Sequence, residues 1–252
     1  MKGLSALVLT YNEEDNIADC LDSISWIDKI VVVDSYSDDR TKEICQQYEN
    51  VNFYENEFKD FASQRNFGLD KIETDWVFVI DADERVTEEL KNEIRNLKND
   101  DEVDAFNIIR KNYFLGKWIK YCGWHPDYNL RLFKNKYRYS GIVHEGFSVN
   151  GKIERLENGF LHYTYKNLSS YITRMNQYTT LDAEKKYRSG KKIGITYILS
   201  RSFLEFIKMY IIKRGFFDGF HGIVLSLLSS YYQFIKNIKL WELNNLRSDL
   251  DE

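Results

Sequence analysis

The sequence is poor in cysteine and proline, and it lacks a long apolar run. Three cysteines, Cys20, Cys45 and Cys122, and a single proline, Pro126, occur in 252 residues. Because the cysteines are odd in number, scattered and without a CxxC pair, they argue against a disulfide framework and against a zinc site. A membrane-spanning helix needs about 18 or more uninterrupted apolar residues, and no window of the sequence provides them.

Two common nucleotide-binding motifs are also missing. No GxGxxG follows the first predicted strand, so a dinucleotide-binding site is not supported, and the lack of GxxxxGK[ST] excludes a P-loop. The first ten residues form too short an apolar run for a secretion signal and contain no small-residue cleavage site. We therefore expect them to form the first core strand of a cytosolic protein.

The composition supports a folded protein with an uneven charge distribution. Hydrophobic residues make up 43% and aromatic residues 15% of the chain, enough for a sizeable core. The net charge is −4, yet 12 Lys and Arg stand against 3 Asp and Glu between Lys185 and Arg247. An acidic front and a basic tail indicate two different roles. The tail contains no recognisable nucleic-acid-binding module, so no nucleic-acid partner is predicted.

Strand and helix patterns alternate through the first 84 residues. The predicted strands are Leu4–Thr10, Ile30–Asp34, Val51–Tyr54 and Trp76–Ile80. The helices between them include a face of Ile17, Leu21 and Ile24, a helix through Ile44 and Tyr48, and one over Asp60–Leu69. This alternation predicts an α/β fold, with a parallel sheet and helices on both faces. Ligands of such sheets bind at the carboxyl ends of the strands, where Thr10, Asp34 and Asp81 are expected.

Asp81 and Asp83 follow the fourth predicted strand at a spacing of two residues. Alternating side chains of extended chain put both carboxylates on the same side, where they repel unless a positive charge lies between them. Hard divalent cations prefer oxygen ligands and often bridge carboxylates to phosphates. The pair therefore indicates a site for a metal-bound diphosphate. The alternative is that one of the aspartates caps the helix expected to begin near Thr87.

The second half of the chain changes character. Strands are expected at 105–110 and 129–133, with an aromatic-rich loop between them that suits sugar stacking or simply packs down, and 151–161 is predicted to be a returning hairpin segment. Helices are expected from Leu168 to near Gly190, and over 193–212 and 222–238. The last two are apolar with interspersed lysines, which suits an anionic membrane surface. The alternative is a helical hairpin that packs on the catalytic domain or on a second subunit.

The ordered motifs resemble family 2 glycosyltransferases of the GT-A fold. They are similar above all to the bacterial branch that adds glucose to the lipopolysaccharide inner core, the lipooligosaccharide β-1,4-glucosyltransferase type. The stretches that carry the resemblance are Leu9–Glu14, Val33–Asp39, Asp81–Glu84, Arg131–Phe133, Val143–Glu145 and Lys213–Gly219. The ordered set is specific for the family.

The resemblance implies a GT-A catalytic domain over residues 1–165 and a helical extension over 166–252. The catalytic domain would have a mostly parallel sheet flanked by helices, with a Rossmann-like nucleotide half and an acceptor half. A UDP-sugar donor and a divalent metal, Mg²⁺ or Mn²⁺, are expected. By the resemblance, the donor-binding residues are Thr10, Tyr11, Asn12, Glu13, Asp34, Gln64, Arg65, Asp81, Ala82 and Arg131. The metal ligands are Asp83, Asp81 and His144.

Family members invert the anomeric centre in a single displacement, and a carboxylate removes the acceptor proton. Many of them use an aspartate of a Glu-Asp pair, and this pair is absent at the expected place. Glu145 is the first candidate for the base and Asp127 the second. For Glu145 the alternative is a structural ion pair, and for Arg131 it is a sheet-surface charge.

The sequence as a whole predicts a cytoplasmic enzyme, peripheral on the inner face of the cytoplasmic membrane. It would transfer a hexose, glucose from UDP-glucose being the first expectation, to a lipid-linked lipopolysaccharide or lipooligosaccharide core. A capsule or protein-linked glycan is the alternative acceptor, and a non-catalytic nucleotide-sugar-binding module is the alternative function. A homodimer through the C-terminal helices is a further possible partnership.

Overall fold

The computed structural model describes residues 3–98, 102–140, 147–165 and 167–245. The strands are β1 (Leu4–Thr10), β2 (Lys29–Asp34), β3 (Val51–Glu55), β4 (Trp76–Asp81), β5 (Glu84–Val86), β6 (Val103–Phe114), β7 (Lys117–Trp118), β8 (Tyr128–Lys134) and β9 (Lys152–Tyr165). The α-helices are α1 (Ile17–Ile24), α2 (Thr41–Cys45), α3 (Phe61–Leu69), α4 (Glu88–Asn96), α5 (Leu168–Arg188), α6 (Ile195–Ile207) and α7 (Phe220–Asn245). A π-helix over Lys208–Ile212 and a 3₁₀ turn over Gly215–Asp218 lie between α6 and α7.

The strands form one mixed sheet in the order β3-β2-β1-β4-β8-β6-β9-β5, and β7 pairs with β6. The first four strands in this order are parallel to one another. β8 pairs antiparallel with β4 and with β6, and β9 pairs antiparallel with β5. The predicted α/β fold with a parallel nucleotide half is therefore confirmed, and the second half of the sheet is antiparallel.

The central parallel strands β1, β2 and β4 are buried on both faces because helices cover each side, whereas the edge strand β3 is partly exposed. Alternate residues such as Ala6 and Val8 of β1 join a core with the apolar face of α1. Leu7 of β1 joins the core on the other face, where Leu69 of α3 packs. A Cβ added to Gly68 would lie 2.3 Å from Leu7 Cδ1, so the close packing of α3 on β1 requires a glycine here.

Two helix predictions need correction. The predicted helix through Ile44 and Tyr48 ends at Cys45, and Tyr48 lies in the following turn. The Tyr48 hydroxyl donates to Asp22 Oδ1 of α1 at 2.9 Å, which draws the chain away from a helical path. The N-cap of α4 is Thr87, whose side chain accepts from the Leu90 amide. Neither Asp81 nor Asp83 caps this helix, so that alternative is wrong.

The chain divides into two compact units. The first contains the chain up to Lys111 together with Asp127–His162, and the second contains Asn112–Pro126 together with the chain from Tyr163 onward. The division of the chain at residue 165 into two domains stays a prediction. In the part of the chain that the structure describes, no helix is both long enough and apolar enough to cross a bilayer.

The second unit has a core of its own. Phe114, Ile119 and Cys122 of the aromatic-rich segment pack with Met209 and Leu225 of the C-terminal helices. The ring of Phe114 also makes edge contacts with the rings of Trp124, Tyr165 and Tyr171. Part of the aromatic-rich loop is therefore packed down, as one of its two interpretations expected. The helix predicted to end near Gly190 is α5, and Gly190 has a φ of 73°.

Candidate active site at the carboxyl edge of the sheet

The register of the parallel strands brings the predicted polar clusters to one edge. Thr10 of β1 is paired with Asp34 of β2, and Leu9 is paired with Asp81 of β4. Each of these residues lies at or next to the last position of its strand. The Thr10 hydroxyl is buried and has no hydrogen-bond partner among the described residues, so this edge contains an unsatisfied polar group of the kind a ligand can meet.

The loops after β1 and β2 are bonded to each other. The Asn12 amide donates to Ser37 Oγ at 2.8 Å, and Asn12 Oδ1 accepts from the Asp38 amide at 3.0 Å. The Glu13 amide donates to Thr41 Oγ1 at 2.8 Å. These bonds fix the predicted donor-binding loop against its neighbour.

The carboxylate of Asp34 accepts hydrogen bonds from the loop that follows β2. It accepts from the Ser37 amide at 2.7 Å and from Ser37 Oγ at 2.5 Å, and the residue is buried. Asn12 and Tyr36 have φ values of 53° and 60°, a conformation that residues other than glycine rarely adopt. Such strain is concentrated at functional sites. The side chains of Tyr11 and Tyr36 are exposed, so the two loops present aromatic rings at the edge.

Gln64 and Arg65 of α3 both reach the carboxyl edge of the sheet, but they contact different residues there. Gln64 is buried, and its amide nitrogen donates to Ser35 Oγ at 3.0 Å. Arg65 Nη2 lies 3.4 Å from Asp81 Oδ1, and its guanidinium lies 5.2 Å from the centre of the Tyr139 ring. Gln64 therefore supports the loop after β2, whereas Arg65 brings a positive charge to the acid at the end of β4.

Asp81 belongs to a network of buried and half-buried charges that alternate in sign. Arg131 Nη2 of β8 donates to Asp81 Oδ2 and to Glu84 Oε1, both at 2.7 Å. Arg110 of β6 continues the network, with Nη1 3.7 Å from Glu84 Oε1 and Nε 2.8 Å from Asp127 Oδ2. Three acids and three arginines, including Arg65, balance one another. The sheet-surface interpretation of Arg131 is wrong, because this side chain is buried between two carboxylates.

The network shifts the pKa values of its acids in opposite directions. Burial alone would raise the pKa of Asp81, but Arg131 and Arg65 outweigh it and hold this pKa well below its usual range. Burial raises the pKa of Glu84 to about 7, with Asp81 adding to the rise and Arg131 opposing it. Glu84 Oε2 also accepts from the Asp81 amide at 2.9 Å, so Glu84 fixes the backbone at the end of β4.

The predicted metal ligands are only partly brought together. Asp83 Oδ2 lies 3.3 Å from His162 Nε2 of β9, whereas Asp81 is held by arginines. His144 lies outside the described residues. Among the residues that the structure describes, no group of three or more His, Cys, Asp or Glu side chains gathers at one point. Ala82 lies buried between the two aspartates, and its carbonyl accepts from Arg85 Nη1 at 2.8 Å.

The two candidates for the base are placed unequally. Glu145 lies outside the described residues. The carboxylate of Asp127 is paired with Arg110 and also accepts from Asn129 Nδ2 at 3.1 Å. Asp127 thus lies at the far end of the charge network from Arg65 and is paired with Arg110.

Sequence reasoning missed three residues of this site. Glu84, Arg110 and His162 reach it from β5, β6 and β9. His162 is paired in register with Glu84, and this pairing sets its imidazole beside Asp83. Glu84 belongs to the Asp81–Glu84 stretch that carries the resemblance, and His162 directly follows the predicted segment 151–161. The strand that pairs with this segment could not be identified, because the pairing belongs to the antiparallel half of the sheet.

Comparison with known proteins supports the same interpretation. The model of glycosyl transferase family 2 matches residues 5–152. The lipopolysaccharide core biosynthesis glycosyltransferase LpsC of Rhizobium meliloti is 28% identical over 97% of this chain and 94% of its own. An uncharacterized glycosyltransferase of Rickettsia typhi is 27% identical over 97% of this chain and 88% of its own.

A solved structure shares the fold. The mannosyltransferase PcManGT from Pyrobaculum calidifontis, in complex with GDP-Man and Mn²⁺, aligns with a TM-score of 0.54 at 16% identity. The alignment covers 94% of this chain and 86% of that one. The predicted GT-A architecture is thereby confirmed. Because the family model covers more than half of its length, the chain belongs to glycosyl transferase family 2.

Proposed function

We propose that this protein is an inverting hexosyltransferase that acts on a lipopolysaccharide or lipooligosaccharide core, with UDP-glucose as its first candidate donor. The observation that carries the proposal is the register that sets Thr10, Asp34 and Asp81 side by side, with Asp83 two residues further on. Ligands of open α/β sheets bind at this edge. The similarity to LpsC over nearly the whole of both chains supports the class of acceptor.

The donor site is proposed to extend across the loops after β1, β2 and β4. The exposed rings of Tyr11 and Tyr36 suit a planar base, and the unsatisfied Thr10 hydroxyl suits a polar group of the nucleoside. Asn12, Glu13, Asp34 and Gln64 hold these loops in place through their own hydrogen bonds. Arg65 and Arg131 supply positive charge next to Asp81, where a diphosphate would need it.

The residues at the end of β4 fit a divalent metal in part. Asp83 and His162, which lie 3.3 Å apart, offer one oxygen and one nitrogen donor, a set that suits Mn²⁺ better than Mg²⁺. His144 and Asp81 remain proposed ligands, and Asp81 would have to exchange an arginine for the metal. When bound, the metal would stabilise the negative charge that develops on the leaving diphosphate.

Proton removal from the acceptor is proposed to fall to Glu145, with Asp127 as the second candidate. Asp127 is held by Arg110 at 2.8 Å, and a carboxylate paired with an arginine is a weaker base than one without such a partner. The distinction is testable, because the base affects turnover more than donor binding.

The protein is also proposed to work at the inner face of the cytoplasmic membrane, as a peripheral protein. The segment from Lys185 to Arg247 contains 12 basic and 3 acidic residues, which favours anionic lipid headgroups. A lipid-linked acceptor would be found on the same surface. A homodimer through the C-terminal helices stays a prediction.

The first test replaces Asp83. We expect Asp83→Asn to lower glycosyl transfer by about a hundred- to a thousand-fold, because it weakens a proposed ligand of the metal that would stabilise the leaving diphosphate. Asp28→Asn is the matched control, since Asp28 is exposed and lies just before the opposite, amino end of β2. Transfer from UDP-glucose in the presence of Mn²⁺ is measured for both variants. Undiminished transfer by Asp83→Asn would remove the metal-site proposal.

The second test separates the two candidate bases. Glu145→Gln and Asp127→Asn are compared for their UDP-induced thermal shift and for turnover. The base should be the residue whose variant retains the thermal shift and loses about a hundred-fold or more in turnover. If UDP-sugars produce a thermal shift but no sugar is transferred to any glycan, the non-catalytic nucleotide-sugar-binding alternative is favoured. Profiling of core, capsule and protein-linked glycans as acceptors tests the acceptor class.

A further inference from the structure

The connection between α6 and α7 places several large apolar side chains in solvent. We call this connection, Ile211 to Phe220, the apolar turn. Its exposed apolar residues are Ile211 (53%), Ile212 (68%), Phe216 (43%), Phe217 (60%) and Phe220 (75%). Five such residues within ten positions form a far denser patch than the single exposed apolar residues of ordinary surfaces, and patches of this kind mark interaction sites.

The apolar turn is held rigidly by the rest of its own unit. A Cβ on Gly222 would lie 1.8 Å from the Gly215 carbonyl oxygen, so the middle of the turn touches the first turn of α7 backbone to backbone. The buried carboxylate of Asp218 accepts from the amides of Lys120 and Tyr121 at 3.2 and 2.8 Å. The exposure of the phenylalanines is therefore a property of an ordered turn that cannot fold them inward without breaking these contacts.

Positive charge accompanies the apolar side chains. Lys213 and Arg214 lie inside the turn, are exposed, and make no ion pair with any described residue. Arg214 adopts a φ of 54°, which costs energy for a residue with a side chain. Asp218, the one acid of the turn, is buried and bonded to amides, so it does not neutralise them. The outer surface of the turn is thus apolar and basic.

We propose that the apolar turn inserts into the headgroup region of an anionic membrane, with Lys213 and Arg214 on the lipid phosphates. The proposal rests on the peripheral location given under the proposed function and names the segment responsible. Aromatic rings beside Lys and Arg are the composition of segments that lie in a membrane interface. The alternative occupant is a second copy of the chain. In a symmetric dimer, the apolar turn of one copy would contact the apolar turn of the other. Such a contact would bring the basic pairs of two copies together without a counter-charge.

The turn also fixes the aromatic-rich loop of the same unit. The Cys122 amide donates to the Lys213 carbonyl at 3.1 Å, and the ring of Tyr121 lies 5.2 Å from that of Phe217. Membrane insertion would therefore hold residues 117–124 at the lipid surface. A lipid-linked acceptor is presented at that surface, so the loop predicted to stack on sugar would be ordered where its substrate is found.

The test is co-sedimentation of the full chain with phosphatidylcholine vesicles that contain or lack phosphatidylglycerol. We expect binding to the anionic vesicles, weakened by high salt. A variant with Phe216→Ser, Phe217→Ser and Phe220→Ser should bind at least ten-fold more weakly. Tyr178→Ser with Leu181→Ser, two exposed apolar residues of α5, is the matched control and should bind as the wild type does.

The charges are tested separately. Lys213→Gln with Arg214→Gln should weaken binding to anionic vesicles by about five-fold for each charge removed. Lys59→Gln with Lys98→Gln, two exposed lysines of the first unit, should leave binding unchanged. Equal loss with both pairs would show that binding follows net charge alone and would overturn the assignment to the turn.

Insertion can be observed directly. All three native cysteines are buried, so an exposed cysteine introduced by Phe220→Cys can be labelled selectively with an environment-sensitive fluorophore. We expect a blue shift with anionic vesicles at Phe220→Cys and none at Leu181→Cys. No shift at Phe220→Cys, or concentration-dependent dimerisation that hides the label without vesicles, would overturn the proposal.

These assays are independent of the donor chemistry. The phenylalanine variant should retain its UDP-induced thermal shift, because it does not touch the strand ends. If vesicle binding follows the turn and no transfer to any glycan is found, the proposed enzymatic function fails and the membrane contact stands. If transfer is found and the substitutions in the turn do not affect vesicle binding, the proposed enzymatic function stands and the proposed membrane contact fails.

Discussion

The two compact units differ in where they place charged and large apolar side chains. In the first unit, arginines and acids from Arg65 to Asp127 alternate in sign inside the protein, and each has a partner of the opposite charge. In the second unit, large apolar side chains from Phe216 to Phe220 lie in solvent beside Lys213, which makes no ion pair with a described residue. The charges of this network are satisfied within the first unit, whereas the apolar turn of the second unit leaves both charged and apolar side chains in solvent.

This difference shows where each unit is sensitive to substitution. A buried ion network costs much desolvation, so the loss of one member leaves its partners uncompensated. An exposed apolar patch contributes little to folding, and its loss is felt when a partner is bound. We therefore expect substitutions in the charge network and substitutions in the apolar turn to act independently of each other.

The largest effect on stability is expected from Arg131→Met. This change leaves the carboxylates of Asp81 and Glu84 without their closest cation, and both acids are largely or fully buried. We expect a loss of about 3 to 5 kcal/mol in the free energy of unfolding. Urea denaturation followed by circular dichroism measures it. Arg138→Met, which removes an exposed arginine 3.1 Å from Asp70, is the control and should cost less than about 1 kcal/mol.

If Arg131→Met costs little free energy of unfolding, water reaches the charge network. The contrast between an internally paired first unit and an outward-facing second unit would then be wrong. A second variant sharpens the result. Adding Glu84→Gln to Arg131→Met removes one of the two abandoned charges and should restore part of the lost stability. A non-additive pair of this kind is the mark of direct coupling.

The parallel half of the fold could be predicted from the sequence, and the antiparallel half of the site could not. Strands such as Trp76–Ile80 are continuous apolar runs between helical patterns, which identify them and fix their direction. Their carboxyl ends then meet at one edge whatever the details of the helices. Thr10, Asp34 and Asp81 were therefore found from local patterns alone.

His162 and Arg110 were missed because their position depends on long-range pairing. β9 joins the sheet between β6 and β5, far from its sequence neighbours, and a one-residue change in register would turn His162 to the other face. The sequence also favoured Asp81 as a metal ligand, since nothing local shows that Arg131 arrives from β8. Helix ends such as that of α2 were uncertain for the opposite reason, because a tertiary hydrogen bond of Tyr48 stops a locally favourable helix.

In the second unit the largest effect is expected from Gly222→Ala. The added methyl group would lie 1.8 Å from the Gly215 carbonyl oxygen, which is backbone and cannot move independently. We expect a loss of about 3 kcal/mol in the free energy of unfolding. Gly194→Ser is the control, because no atom lies within 4 Å of its added Cβ and serine is a good N-cap for α6. Equal stability of the two variants would show that the apolar turn is loosely held.

Asp104 provides a pH-dependent contrast within the first unit. Lys134 Nζ and Lys136 Nζ lie 2.7 and 2.8 Å from its carboxylate, and together with Tyr137 they hold the pKa of Asp104 well below its usual range. Because the folded pKa is below the unfolded value of about 3.9, the stabilisation is present above that pH. It is lost as the pH falls through the folded pKa. Asp104→Asn should cost about 2 kcal/mol at neutral pH.

The difference in the free energy of unfolding between Asp104→Asn and the wild type should then disappear as the pH falls below about 4. Urea denaturation at neutral and acidic pH measures it. Lys29→Gln is the control, because its exposed pair with Glu73 at 3.7 Å should give little difference at either pH. If the difference in the free energy of unfolding stays unchanged in acid, Asp104→Asn destabilises the protein through lost packing and not through lost charge.

The smallest expected effects test whether the units unfold together. Thr87 caps α4 in the first unit and Asn167 caps α5 in the second, and each side chain accepts from the amide three residues on. Thr87→Ala and Asn167→Ala should each cost about 1 kcal/mol. If the chain unfolds in a single transition, both variants shift the same melting curve. If the units unfold separately, each variant moves only its own transition, and the contrast between an internally satisfied unit and an outward-facing one then extends to their stability.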